Sequence, residues 1–226
     1  LNLDAGTYNI NVQNTNGLIT IQSSNLVINI QDKSYPILKD TSDNVINPLL
    51  WFQFDNSSNI VYESIRGTNY TNNNSVAFNN TQYTKGNGSA LFNGLNQYIS
   101  TTSGINLNNT NFSISFWSYS LSIFGNYIYS RNNISPSTSA TLSIGYKSST
   151  IFSFSFFADD LDYSFPSGTD TNKWVFWTVT YNSTTRLQTI YKNGVSVASR
   201  TSSSVLNSGD SNYQIGRNYS TGQYFR

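Results

Sequence analysis

Between Ile151 and Phe157 the chain reads IFSFSFF, with Phe152, Phe154 and Phe156 at every second position and Ser153 and Ser155 between them. Successive side chains of a β-strand point to opposite faces, so this alternation fits a half-buried strand and cannot be laid on a helix of 3.6 residues per turn. Strand patterning recurs in Phe112–Trp117, in Thr141–Tyr146 and in Trp174–Tyr181, and no segment carries a convincing helical period. Half-polar strands belong to antiparallel sheets. The chain is therefore expected to be all-β, and its 16 Tyr and 14 Phe supply enough apolar surface to bury a sizeable core.

At 226 residues the length suits one main domain and a smaller appendage. Residues 1–47 read as short alternating strands: Tyr8, Ile10 and Val12, then Leu18 to Ile21, then Leu26, Ile28 and Ile30. Asn14 to Gly17 and Ser23 to Asn25 supply the turns between them. Strands this few bury little alone. They are expected to form an N-terminal β extension and linker, or the end of a preceding domain, with the main domain at 48–226. Pro36 and Pro48 mark the linker, because proline fixes φ and withholds a donor.

Charge excludes several partners. Only 10% of residues are charged, the net charge is +1, and Lys and Arg are scattered. Nucleic acid and anionic membranes both require clustered positive charge, and a membrane-spanning helix requires about 18 or more apolar residues in a row. None of these is present, so neither nucleic acid binding nor membrane insertion is expected. Cys and His are absent, which removes disulfides, thiol nucleophiles and the Ser-His-Asp and Cys-His arrangements. Asn, Ser and Thr exceed a third of the chain, a composition typical of exposed all-β adhesins and virion proteins. Asn56, Asn79, Asn111 and Asn182 lie in sequons that permit glycosylation without arguing for it.

Three blocks carry a resemblance. Tyr83 to Trp117 holds Gly88-Ser89-Ala90-Leu91-Phe92-Asn93-Gly94 followed by Phe112-Ser113-Ile114-Ser115-Phe116-Trp117. Trp174 to Tyr181 reads WVFWTVTY, and Leu187 to Val197 reads as a hairpin turning at Asn193-Gly194, followed by Tyr213-Gln214-Ile215-Gly216-Arg217. With the opening Leu50-Trp51-Phe52-Gln53-Phe54-Asp55, these runs resemble the laminin-G-like domains of the concanavalin A-like lectin/glucanase superfamily. The resemblance implies an antiparallel two-sheet jelly-roll sandwich that recognises carbohydrate or glycoprotein. Val175 and Phe176 stand where the family often has histidines. The family's closing strand would follow Arg226, so the polypeptide is expected to continue, or residues 1–30 to fill that edge.

Catalysis is not expected. Glucanases of this superfamily use paired carboxylates, and retaining hydrolysis needs two carboxyls about 5–5.5 Å apart. The chain has one glutamate, Glu63, read as a solvated loop charge. The candidate ligand site is Tyr127, Tyr129, Arg131 and Asn132 with Asp160 and Tyr163, which mixes aromatic faces with hydrogen-bonding groups. Asp159, Asp160 and Asp162 are the candidate ligands for Ca²⁺, which takes six to eight oxygens and is held at the sandwich rim in some laminin-G-like domains. A charged loop that keeps a sheet edge soluble is the other reading of these aspartates. Trp51, Trp117, Trp174 and Trp177 are expected in the core, because they fall within strand patterns. The expected function is a non-catalytic module binding glycan or glycoprotein through rim loops, in an extracellular, cell-surface or virion-surface setting. The alternative is a structural decoration protein that contacts other subunits of a fibre, surface layer or virion.

Overall fold

Tyr8 and Ile28 are register partners in the first strand pair, where β1 (Gly6–Ile10) runs antiparallel to β2 (Leu26–Ile30). A second short pair joins β3 (Leu38–Lys39) to β4 (Val45–Ile46). Both belong to a unit spanning Leu1–Asn47, and a second unit spans Pro48–Arg226. The computed structural model describes residues 6–10, 26–30, 38–39, 45–46, 48–57, 61–63, 65–101, 104–123, 125–132, 139–208, 213–218 and 223–226. The expected strand at Leu18 to Ile21, together with Val12 and Pro36, lies outside them.

The second unit contains β5 (Tyr62–Glu63), β6 (Thr68–Asn69), β7 (Thr71–Asn73), β8 (Ala77–Asn79), β9 (Ser89–Leu91), β10 (Tyr98–Thr101) and β11 (Phe112–Tyr119). It continues with β12 (Asn126–Asn132), β13 (Thr141–Ser148), β14 (Ile151–Ser155), β15 (Leu161–Ser164), β16 (Trp174–Asn182), β17 (Leu187–Lys192), β18 (Val195–Thr201) and β19 (Tyr213–Ile215). One sheet has seven strands in the order β15-β14-β13-β12-β19-β10-β7, and another has four in the order β11-β16-β17-β18. Every pairing in both is antiparallel.

The sheets are joined by one buried cluster. Leu142, Ile144 and Tyr146 of β13 and Phe152 and Phe154 of β14 meet Val175, Trp177, Val179 and Tyr181 of β16 and Ile190 of β17. The Phe152 and Trp177 rings stack at 3.7 Å and 6°. Trp177 Nε1 donates to Tyr146 Oη at 3.1 Å, so the largest buried ring leaves no orphan donor. Burial along β16 alternates strictly, with Val175, Trp177, Val179 and Tyr181 inside and Trp174, Phe176, Thr178 and Thr180 half-buried on the other face. Trp174 and Trp177 are three positions apart and therefore face opposite ways. Of the four tryptophans expected in the core, only Trp177 is wholly buried; Trp51 and Trp174 are half-buried and Trp117 is 41% exposed.

Two local features set side-chain direction. Asn193 and Gly194 both take positive φ, 51° and 82°, as the two-residue hairpin between β17 and β18 requires. Asn193 also donates its N–H to Phe176 O at 2.7 Å and accepts from Phe176 N–H at 3.0 Å, which ties the turn to β16. Along β12, Tyr127 pairs with Gly145 and Tyr129 with the adjacent Ile144, so Ile128 is the extra residue of a β-bulge. Gly145 permits that approach, because a Cβ there would sit 2.5 Å from Asn126 O and 2.6 Å from Tyr127 Cα.

Glu63 is fully buried, contrary to the expectation of a solvated charge. Its carboxylate accepts the backbone N–H groups of Trp51 (2.7 Å), Ile65 (2.8 Å) and Arg66 (2.8 Å). Charge-assisted bonds of this kind are about twice as strong as neutral ones, so the chain's one glutamate serves as the clasp of the β5 turn.

Candidate functional site

The outward face of the seven-stranded sheet follows from its register. Thr71, Ser100, Gln214, Ser130, Ser143 and Ser155 are successive cross-strand partners over six strands. Their strand neighbours Ile99, Ile144 and Phe154 are fully buried on the inward side, so parity turns this row away from the sandwich core, yet only Thr71, Ser100 and Ser155 reach solvent: Ser130 is fully buried, and Gln214 and Ser143 are nearly so. The open hydroxyls of Thr71, Ser100 and Ser155 each offer a donor and acceptors, which suits a ligand rich in the same groups.

Charge is gathered at both ends of the row. At one end Ser155 Oγ donates to Asp160 Oδ1, while Lys147 Nζ lies 3.2 Å from Asp160 Oδ2 and 3.0 Å from Asp162 Oδ2. Two carboxylates share one ammonium, leaving a net negative charge that attracts hydroxyl donors. Tyr127 lies within reach of these charges. Burial pushes its phenol above the ordinary pKa of 10.0, Lys147 pulls it back, and Asp160 and Asp162 push it up again. At the other end the Arg217 guanidinium lies over Tyr98 at 4.8 Å and Tyr224 at 5.3 Å from the ring centres. Ser130 Oγ fixes that segment by donating to Arg217 O at 2.7 Å.

The six residues expected to form one site are divided by the β12 bulge and by strand parity. Tyr127 pairs with Gly145 on the outward side, near enough to Asp160 to feel its charge, but is itself buried. Tyr129 and Arg131 pair with the inward Ile144 and Leu142; Arg131 is fully buried with its guanidinium 4.9 Å from the Tyr213 ring centre. Tyr163 pairs with Phe152 and lies against Phe165 and Trp177, at 5.9 Å and 6.3 Å between ring centres, so it lines the core. Asn132 pairs through its backbone with Thr141, and its side chain lies outside the described residues. Sequence reasoning missed Lys147, Tyr98, Arg217 and the serine row. The signal was present in Thr141-Leu142-Ser143-Ile144-Gly145-Tyr146-Lys147, whose outward positions are all small or polar.

The proposed calcium ligands do not converge. Asp159 is almost fully buried and accepts from Ser203 N–H (2.8 Å), Ser204 N–H (3.2 Å), Ser203 Oγ (2.9 Å), Ser139 Oγ (3.2 Å) and Arg200 Nη2 (2.8 Å). Burial pushes its carboxyl up, but these donors outweigh it and hold the pKa below 3.8. Asp160 and Asp162 are occupied by Lys147. Among the described residues no three Asp, Glu, His or Cys side chains come together as a metal site. Asp159, Asp160 and Asp162 therefore do not fit an ion that needs six to eight oxygens. Asp159 is instead a stitch, joining the loop after β14 to the segment after β18.

A family model described as the concanavalin A-like lectin/glucanases superfamily matches residues 92–226. No curated protein matches the sequence. Among solved structures, domain 4 of AbnA, a GH43 extracellular arabinanase from Geobacillus stearothermophilus solved in complex with arabinotriose, is similar over 77% of this chain and 85% of that one, with a TM-score of 0.57 and 17% identity. Domains LG4-5 of the mouse laminin alpha1 chain are similar over 71% of this chain and 40% of that one, with a TM-score of 0.45 and 10% identity. At such identities the likeness concerns the fold.

Proposed function

The chain belongs to the concanavalin A-like lectin/glucanases superfamily, and on that premise we propose that it is a non-catalytic carbohydrate-recognition module whose glycan lies on the outward face of the seven-stranded sheet. The observation that carries this reading is the pair of partly open clusters at the two ends of the outward row, Lys147 with Asp160 and Asp162 at one and Arg217 over Tyr98 and Tyr224 at the other, with the open hydroxyls of Ser100 and Ser155 beside them. The Tyr98 and Tyr224 rings meet the C–H side of a sugar ring, and the open hydroxyls and the Asp160 and Asp162 carboxylates meet its hydroxyls. The arabinotriose bound to domain 4 of AbnA supports a glycan as the kind of ligand.

Recognition without hydrolysis is supported by how the acids are used. Glu63 is bound to three backbone amides, Asp159 to serines and Arg200, and Asp160 and Asp162 to Lys147. None of these stands free as one of a facing acid and nucleophile pair. An extracellular or cell-surface setting accompanies the reading; among the described residues no helix is long and apolar enough to cross a membrane.

A glycan array probed with and without calcium tests the proposal. Binding to oligosaccharides is expected, unchanged by chelator, and roughly tenfold weaker in Lys147→Ala, the loss of one well-placed contact. Silence across a broad array, or release of reducing sugar from any bound polymer, would overturn it.

A further inference from the structure

We propose that the outward face of the β11–β16 pair, in the four-stranded sheet, is a second binding surface, shaped to hold an uncharged polysaccharide chain against paired aromatic rings. Along β11, Phe112, Ile114 and Phe116 pack against the core, so Ser113, Ser115, Trp117 and Tyr119 point outward. Register places them opposite Thr180, Thr178, Phe176 and Trp174 of β16. The result is four successive cross-strand pairs, two of hydroxyls followed by two of rings.

The pairs are in contact. Ser115 Oγ and Thr178 Oγ1 lie 2.9 Å apart. Trp117 and Phe176 have ring centres 5.0 Å apart at 39°, and Tyr119 and Trp174 are 5.6 Å apart at 62°. Trp117 is 41% exposed, although a ring of that size normally accounts for much of a core's buried area. The hairpin turn bonded through Asn193 to the Phe176 backbone holds the ring row in place.

Composition selects the occupant. These eight side chains include no aliphatic group and no charge. Protein interfaces share such aromatic residues but set Met and Arg among them, and a polyanion would need Lys or Arg, none of which is in this row. Rings and hydroxyls match a sugar polymer on both counts, ring face to C–H face and hydroxyl to hydroxyl, and an uncharged surface is the complement of an uncharged chain. Outward positions recur at about 6.8 Å along a strand, so four pairs span about 20 Å, which suits several linked sugars better than one. The surface shares no residue with the one on the opposite sheet.

The test is retention of the purified chain by microcrystalline cellulose and by linear arabinan and xylan in affinity electrophoresis, with alginate as a polyanionic control. Trp117→Ala is expected to weaken retention by the uncharged polymers roughly tenfold, and Trp117→Phe to keep it within about threefold. Ser115→Lys, which leaves every ring in place, is expected to weaken it as well. Binding of those polymers should also shift tryptophan emission in the parent chain, and shift it less in Trp117→Ala, where Trp174 is the one tryptophan left in the row. Full retention of Trp117→Ala and Ser115→Lys on every uncharged polymer would overturn the proposal. So would retention of the parent by alginate alone, or retention that fails in Lys147→Ala and survives Trp117→Ala. A change in sedimentation without a change in retention would assign the face to self-association instead.

Discussion

On the seven-stranded sheet the outward positions are mostly small and polar, with Ser100, Ser130, Ser143 and Ser155 in a row and charge at its ends. On the four-stranded sheet the outward positions of β11 and β16 are rings and hydroxyls with no charge at all. Both faces are mounted on the same slab of Phe152, Phe154, Trp177 and Val179, which fixes every alternate residue and leaves the others to be chosen by what they touch. The difference teaches that in a two-layer sandwich the fold constrains only half of each strand. Two surfaces of different chemistry can therefore be drawn from one period-2 pattern.

The comparison breaks most severely if the slab itself is damaged. Trp177→Ala removes the ring stacked on Phe152 and leaves Tyr146 Oη without its donor. A loss of about 4 kcal/mol is expected in denaturant unfolding, with both outward faces failing together. A loss below about 1 kcal/mol would mean that the layers do not depend on each other. The next effect falls on the stitch between the sheets. Asp159→Asn should cost about 2 kcal/mol at neutral pH, since hydrogen bonds to a charged group contribute most. The native carboxyl titrates below its usual 3.8, so its stabilisation is complete above about pH 5 and drains away as pH falls through 3.8 toward the native value. Asn at that position should flatten this acid limb of the stability curve, and an unchanged limb would refute the role given to Asp159. The smallest effect sharpens the contrast between faces. Lys147→Ala should change stability by less than about 1 kcal/mol, because its two ion pairs are partly exposed. It should also raise the Tyr127 pKa further, because Lys147 is the charge that lowers it. Site-resolved NMR titration reads that shift, and the Trp117 signals should not move.

Strand positions were legible because alternation states them directly: Phe112 to Trp117, Trp174 to Tyr181 and the Asn193-Gly194 hairpin all stand where the pattern puts them. Direction was legible only in part. Trp174 and Trp177 in one strand had to point opposite ways, and parity alone was enough to say so. The side of Tyr129 and Arg131 was not readable, because a uniform strand places Tyr127, Tyr129 and Arg131 together and the bulge at Ile128 does not announce itself. Gly145 within a strand pattern was the one local hint. The roles of Glu63 and Asp159 were hidden for a different reason. Glu63 joins its neighbours Ile65 and Arg66 to Trp51, 12 residues back, and Asp159 reaches Ser203 and Ser204 more than 40 residues on; no spacing rule connects the distant partners.

The extra residue at Ile128 gives β12 a property that substitutions do not supply. Removing the Ile128 codon would restore a uniform strand while keeping the pairs Tyr127–Gly145 and Tyr129–Ile144, so each flanking side chain would keep its face. β12 thus carries one residue that it could lose without turning any side chain over, whereas the same loss inside the uniformly paired β16 would turn a whole run of its residues inside out.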